Sequence, residues 1–285
     1  MNKRRIAVLV VLMALTLAAG AAAEFEVGDE LRVVNCKEYV TLREEASKSA
    51  DALARIPLGQ KIVCLEDDNG EFVRVWADGR RGYVLRRYLD AATTHGPAVT
   101  LTDAQRADMN LFLSNFTETS LSYYCEGVFD VNHASPAAMV EFAASHIWFN
   151  QNRKVEWGDY ANGNNVRLAT KYINPVLRKY FGVTVDDIRV RYLDLDGDYL
   201  YWQETGGHVP DGFASVTSAE YLGSDWYRVY FDVYGEGEDW NNDVMKLTGS
   251  QAASLYQRSS RSGFAMVLAS DLDNRASYKL IRFVS

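Results

Sequence analysis

Four histidines and three cysteines are the side chains best suited to chemistry in this 285-residue chain, and their spacing decides what is open to them. His95, His133, His146 and His208 form no His-Glu-x-x-His and no other short pair. A zinc site draws two or three ligands from tight spacing, so His133 and His146 could share a metal only through folding. His146 falls on an apolar helical stripe and reads more simply as a core histidine. Cys125 is the one candidate nucleophile, with His146 or His208 downstream as its base. Asp194, Asp196 and Asp198 around Gly197 space carboxylates as a calcium loop does. An EF-hand, however, has Gly at its sixth position and Glu at its twelfth; here Gly is fourth and Thr205 twelfth. A hairpin turn explains the run better. Carboxylates for glycoside hydrolysis can come from anywhere in a fold, and acids are too abundant here for one pair to stand out. Gly206-Gly207 and Gly235-x-Gly237 are isolated and cradle no phosphate. No catalytic residue, metal or cofactor is therefore expected.

Aromatic and arginine side chains remain, and short strands must position them. Leu31-Arg-Val-Val, Tyr39-Val-Thr-Leu, Ile62-Val-Cys-Leu, Phe72-Val-Arg-Val-Trp76 and Tyr83-Val-Leu85 are β-rich, with Pro57, Gly59 and Asn69-Gly70 between them. Ala77-Asp78-Gly79-Arg80 makes a hairpin of the last two runs. Several short strands of this kind suggest a small barrel. Tyr39, Trp76, Tyr83 and Tyr88 would wall a shallow peptide groove, and Arg43 would grip a carboxylate through both nitrogens. Phe72, Arg74 and Trp76 alternate away from Val73 and Val75. Trp76, beside the turn, is expected to be exposed and to be the main contact.

The stretch Cys36-Lys-Glu-Tyr-Val-Thr-Leu-Arg-Glu, then Ile56-Pro-Leu-Gly59, Phe72-Val-Arg-Val75 and Gly82-Tyr-Val-Leu-Arg-Arg-Tyr-Leu89 resembles the bacterial SH3-like domain. The resemblance implies an accessory module over about residues 31–90 that docks on peptidoglycan or its peptides beside another domain. It implies no catalysis. The flanks of Cys125, Tyr123-Tyr124 and Glu126-Gly127, depart from the Asp-Cys-Ser-Gly of papain-like cell-wall peptidases.

Beyond a linker at 92–100 the pattern becomes helical. Thr102-Asp-Ala-Gln105 is a capping box, followed by Met109, Phe112, Leu113 and Phe116 at helical spacing. Ser135-Pro136 starts a second helix as N-cap and N1, with Met139, Phe142, His146 and Phe149 on one stripe. A third helix near 170–181 stops at Gly182. Strands are expected at 188–193, 198–204, 213–222, 226–234, 263–269 and 277–284. In Trp226–Tyr234, Tyr227, Val229, Phe231 and Val233 share one face. Trp226, Arg228 and Tyr230 share the other and form a candidate ligand surface. Helices followed by an antiparallel meander argue α+β for 101–285. Leu111-Phe-Leu-Ser-Asn-Phe116 and Lys179-Tyr-Phe-Gly182 resemble an uncharacterised domain that follows SH3-like modules in secreted proteins of Gram-positive anaerobes. The fold class is α+β overall, a small SH3-like barrel at 24–91 preceding the α+β domain.

The first 23 residues read as a secretory signal: Lys3-Arg4-Arg5, an apolar run from Ile6 to Ala19, and small residues before Glu24. An uncleaved anchor is the alternative, although the run is short for a membrane span. No later segment is apolar enough to span, so no stable membrane insertion is expected after cleavage. Cleavage removes three cations and no acid, taking the formal charge from −8 to −11. So acidic a chain argues against nucleic acid as a partner. It also implies that retention on an acidic wall weakens little as salt rises. In an oxidising compartment Cys36 and Cys64 would pair, leaving Cys125 single; two buried thiols are the alternative. These readings point to an exported, wall-associated binding protein whose barrel docks on peptidoglycan or a peptide. The competing expectation is a cell-wall hydrolase (peptidase, amidase or muramidase) with an unrecognised site in 101–285. Oligomeric state is not written in the sequence.

Overall fold

A computed structural model of the chain describes residues 25, 28–77, 79–92, 96–119, 121, 125, 127–205, 212–235, 249–256 and 259–285. The signal sequence, His95, His208, Tyr123-Tyr124 and the Gly206-Gly207 pair lie outside these residues.

Seven antiparallel strands form the first unit: β1 (Glu30–Val33), β2 (Tyr39–Arg43), β3 (Ala52–Pro57), β4 (Lys61–Glu66), β5 (Phe72–Ala77), β6 (Arg80–Leu85) and β7 (Leu89–Ala91), in the order β3-β2-β6-β5-β4-β1-β7. Strand alternation turns Leu31, Val33, Val40, Leu42, Ile62, Cys64, Val73, Val75 and Val84 into one core. Gly82 is required by proximity. A Cβ there would lie 2.5 Å from the Arg43 carbonyl oxygen and 2.9 Å from Leu42 Cγ, so only glycine lets β2 cross β6 where Arg43 faces Tyr83.

The second unit is α+β. Helix α1 (Asp103–Thr117) begins with the reciprocal Thr102/Gln105 capping box. Helix α2 (Pro136–Asn150) begins with Ser135 accepting from the Ala138 amide and Pro136 at its first position. Helix α3 (Ile173–Phe181) ends at Gly182, where φ is +75°. Helices α1 and α3 pack on β13 and β16 of a five-stranded antiparallel sheet of β13 (Phe213–Gly223), β14 (Trp226–Tyr234), β15 (Arg261–Ala269), β16 (Tyr278–Val284) and β8 (Val128–Asp130), and α2 packs on α3. A smaller sheet joins β11 (Asp194–Asp196), β12 (Tyr199–Trp202), β10 (Val166–Ala169) and β9 (Val155–Trp157). A short helix, α4 (Gly249–Tyr256), lies against β13 and β14. Phe112, Phe116, Phe142, Leu177, Phe181, Phe231 and Phe283 meet in the main core.

Several local expectations change in the structure. Residues 188–193 form no strand; an isolated Val190–Leu193 bridge stands there instead. The Asp194–Asp198 run is a hairpin, with Asp194 opposite Tyr201 and Asp196 opposite Tyr199. All three cysteines are free thiols, so the expected Cys36–Cys64 bridge is not formed. Cys64 points into the barrel core, its thiol directed at the Phe25 carbonyl oxygen 3.9 Å away. Cys36, partly buried, packs against the edge of that core from the loop before β2 and lines a groove with Tyr39 and Tyr88.

The two units share a seam. Val63 and Trp76, on the outward faces of β4 and β5, pack against Val128, Phe264 and Val284 of the five-stranded sheet, with Tyr230 and Met266 alongside. Ion pairs border it. Arg228 approaches Glu220 at 3.5 Å and Asp29 at 3.9 Å, all three largely buried. Arg282 holds Asp130 at 2.9 Å and reaches Glu30 at 3.9 Å. Such buried pairs fix orientation more surely than they add stability. Part of the segment read as a linker is pinned as well: Val99 donates to the Ala219 carbonyl at 2.8 Å, and the Tyr221 amide donates to that of Pro97 at 3.1 Å.

Candidate functional site

On the barrel, a groove of about 500 Å³ opens between β2, the loop before it and the 3-10 turn Arg86–Tyr88. The loop is fastened to that turn by two bonds. The Val34 amide donates to the Tyr88 carbonyl at 2.8 Å, and Asn35 Nδ2 donates to that of Arg87 at 3.2 Å. Asn35 takes φ +57°, which asparagine tolerates better than most residues. Tyr39 stands at the rim, 39% exposed, with the Arg55 guanidinium 4.6 Å from its ring centre. Arg87 lies over Tyr88 at 4.7 Å. Arg43 donates to the Ala50 carbonyl at 2.7 Å, which fixes the guanidinium in place.

The groove is lined by four cations (Lys37, Arg43, Lys48 and Arg87) and by no carboxylate. Lys48 also pairs with Glu71 outside it. A local positive field therefore exists on a chain whose formal charge is −8. Such a surface is complementary in charge to a carboxylate, and Tyr39 and Tyr88 offer flat apolar faces beside it.

The residues expected to form the groove are thus divided. Tyr39, Arg43 and Tyr88 line it together. Tyr83 is opposite Arg43 on β6 but is not part of the lining. Trp76 is a correction: it is 7% exposed, and its ring meets His133 edge-on at 5.5 Å inside the seam. The alternation that pointed Trp76 away from the barrel core was sound, but the second unit covers that face. Lys37, Lys48 and Arg87 escaped the sequence reading because they lie in three separate segments; the run Arg86-Arg87-Tyr88 was the available signal.

The second unit's expected surface is also divided. Arg228 is buried in its ion pairs, and Tyr230 packs in the seam. Trp226 is at the start of β14, opposite Gly223 and Leu268. On the outward face of β14, Arg228 is therefore closed off, whereas Tyr230 and Asp232 also border a concavity with Ser262.

Two of the side chains considered for a hydrolase, Cys125 and His146, are buried or partly buried. Burial, with a smaller contribution from Glu141, pushes the Cys125 thiol up to about 12, so a thiolate is scarce at neutral pH. His146 is buried, and desolvation with Lys179 and Lys154 nearby brings it down to about 3. It stays neutral, 3.2 Å from Asn150 Nδ2, and stacks edge-on against Tyr180 at 4.7 Å. Asn150 also donates to Glu118, whose carboxyl burial raises to about 7. His146 and Asn150 line a cleft of about 710 Å³ edged by Arg153, Lys154, Lys179 and Arg275 and by Asp108 and Asp273. Among the described residues no three His, Cys, Asp or Glu side chains converge as a metal site requires.

Against this geometry the comparisons with known proteins can be placed. Residues 38–90 match the bacterial SH3 domain family. The match spans β2 to β7 and so contains most of the groove. This SH3 domain is followed by the α+β region, which that family model does not cover. No curated protein matches the chain. Among solved structures, NlpC2 from Trichomonas vaginalis is matched at 12% identity over 72% of this chain, with a TM-score of 0.21. The match covers 64% of that structure's chain. At that TM-score the likeness carries no weight for fold or function. No described helix is long and apolar enough to cross a membrane.

Proposed function

We propose that the chain is an exported binding protein whose SH3 domain docks on peptidoglycan or a peptide derived from it. The observation that carries this reading is the groove of four cations and two tyrosines without a carboxylate, all but Lys37 of these six within the region that matches the bacterial SH3 family. Its chemistry suits a peptide carboxylate held by charge-assisted hydrogen bonds, with Arg43 pre-positioned by Ala50. The second domain, joined through the Trp76 seam, keeps the groove in a fixed orientation to whatever else the protein holds.

The local charge changes the salt dependence expected from composition. A groove of exposed cations loses attraction as ions screen it. The test is retention of residues 24–285 on purified peptidoglycan across a salt series, with release of soluble fragments followed in parallel. The double variant Lys48→Gln/Arg87→Gln should retain the fold and bind about tenfold more weakly, the loss of one charge-assisted contact or more. Parent retention should fall as salt rises. Equal binding by the variant, or salt-independent retention, removes the groove from the function. Release of fragments by the parent would establish the hydrolase reading instead.

A further inference from the structure

A second concavity, in the α+β region, has the opposite chemistry. Helix α2 places Glu141, Ser145, Trp148 and Phe149 along one side, and β12 with the segment before β11 supplies Trp202 and Tyr192 on the other. The chamber has a volume of about 190 Å³. That is small for a whole ligand of drug size but suits a single head group. Trp148 and Trp202 meet at 74° with centroids 5.8 Å apart, forming an aromatic corner. Trp157 extends it, 5.4 Å from Trp148. The aromatic side chains here are not simply core. Trp157 is 57% exposed and Tyr192 is 71% exposed, so their faces are open to a ligand.

Two carboxylates accompany these rings, Glu141 from α2 and Glu204 just beyond β12, and no lysine or arginine lines the chamber. Asn165 fixes the Glu204 backbone at both its amide and its carbonyl, at 2.7 and 2.8 Å. Burial raises the Glu141 carboxyl above its ordinary range. Arg191 already lies over the Tyr192 ring at 5.5 Å, so this aromatic surface draws a cation from its own chain. Steeply inclined aromatic faces, joined to carboxylates in a chamber whose lining contains no lysine or arginine, attract a weakly hydrated positive charge through the ring quadrupoles.

We propose that this chamber is a binding site for an alkylammonium group. The chemistry is complementary to that of the SH3 groove, which takes an anion, and the proposal does not depend on that groove's ligand.

Tryptophan fluorescence of the full chain, titrated with tetramethylammonium chloride against sodium chloride of equal ionic strength, tests it. Tert-butanol, neutral and of similar shape, is the control for apolar filling. A saturable change with the cation, with tert-butanol binding at least tenfold more weakly, is the expected result. Glu141→Gln should weaken the cation about tenfold and Tyr192→Ala about fivefold, both with melting temperatures like the parent's. A parallel titration with n-butylammonium distinguishes a primary amine, as on a peptide side chain, from a quaternary head group; tighter binding identifies the source. The proposal is overturned if tert-butanol binds as well as the cation, or if no saturable change occurs. It is likewise overturned if folded Glu141→Gln and Tyr192→Ala both bind like the parent, or if a neutral chitooligosaccharide saturates the signal while neither cation does.

Discussion

Replacing Trp76 with alanine should damage the junction between the two domains and leave the ligand groove chemically intact. The side chain is 93% removed from solvent, since 7% of it remains exposed, and its neighbours Val63, Val128, Phe264 and Val284 come from both units. Truncating a buried tryptophan costs about 3–5 kcal/mol, because transfer free energy is lost and a cavity remains. The lower half of that range, about 3–4 kcal/mol, applies here, because two domains can shift to close part of the gap. For a chain of this size each kcal/mol moves the melting point by about 2–4 °C, so a fall of about 6–16 °C follows. Scanning calorimetry should also show a transition that separates into two as docking weakens. Phe264→Ala should have a similar effect, and the double variant should be less than additive because both remove the same contact. Trp76→Ala melting within about a degree of the parent, combined with lost retention on peptidoglycan, would refute the argument and return Trp76 to the ligand surface.

Two further outcomes follow from buried titratable groups. Glu118 is raised to about 7 in the fold, so the native state holds a proton that the unfolded chain releases near 4.5. Its ionisation therefore costs stability increasingly as pH rises from about 4.5 to 7, and Glu118→Gln should exceed the parent by about 3 kcal/mol at pH 8 but match it at pH 4. His146, depressed to about 3 from 6.5, works oppositely, adding stability as pH rises through that window, and it cancels in the parent-to-variant difference. Denaturant unfolding at several pH values measures the gap; a constant difference across pH would refute the assignment. In the cysteines, Cys36 should alkylate readily in the native protein while Cys64, buried and pushed up to about 12, stays unmodified until unfolding. Intact mass showing two hydrogens lost, with neither residue labelled, would establish the bridge the structure lacks.

Local signals determined much of this protein. The Thr102/Gln105 box, Ser135-Pro136 and Gly182 terminate helices through bonds made within a few residues, so the sequence alone locates them. The period-two pattern of Trp226–Tyr234 assigned Val229, Phe231 and Val233 to one face, and they are in the main core. Gly82 was visible as a motif, although its cause, the approach of Arg43 and Leu42, belongs to the barrel. Alternation states which side chains share a face, but not what covers that face. Trp76 and Arg228 therefore pointed outward from their own sheets and ended up inside the seam. Net charge was similarly blind to arrangement: an acidic chain collects Lys37, Arg43, Lys48 and Arg87 in one groove because β2, its preceding loop and the turn after β6 converge. Trp148, Trp157 and Trp202 come from a helix and two strands of one small sheet, and no spacing along the chain announces that corner. Hydrogen bonds at helix ends and strand periodicity are short-range and legible. Docking between sheets, and the sites that docking leaves open, depend on contacts between residues tens to hundreds of positions apart, which only the folded structure decides.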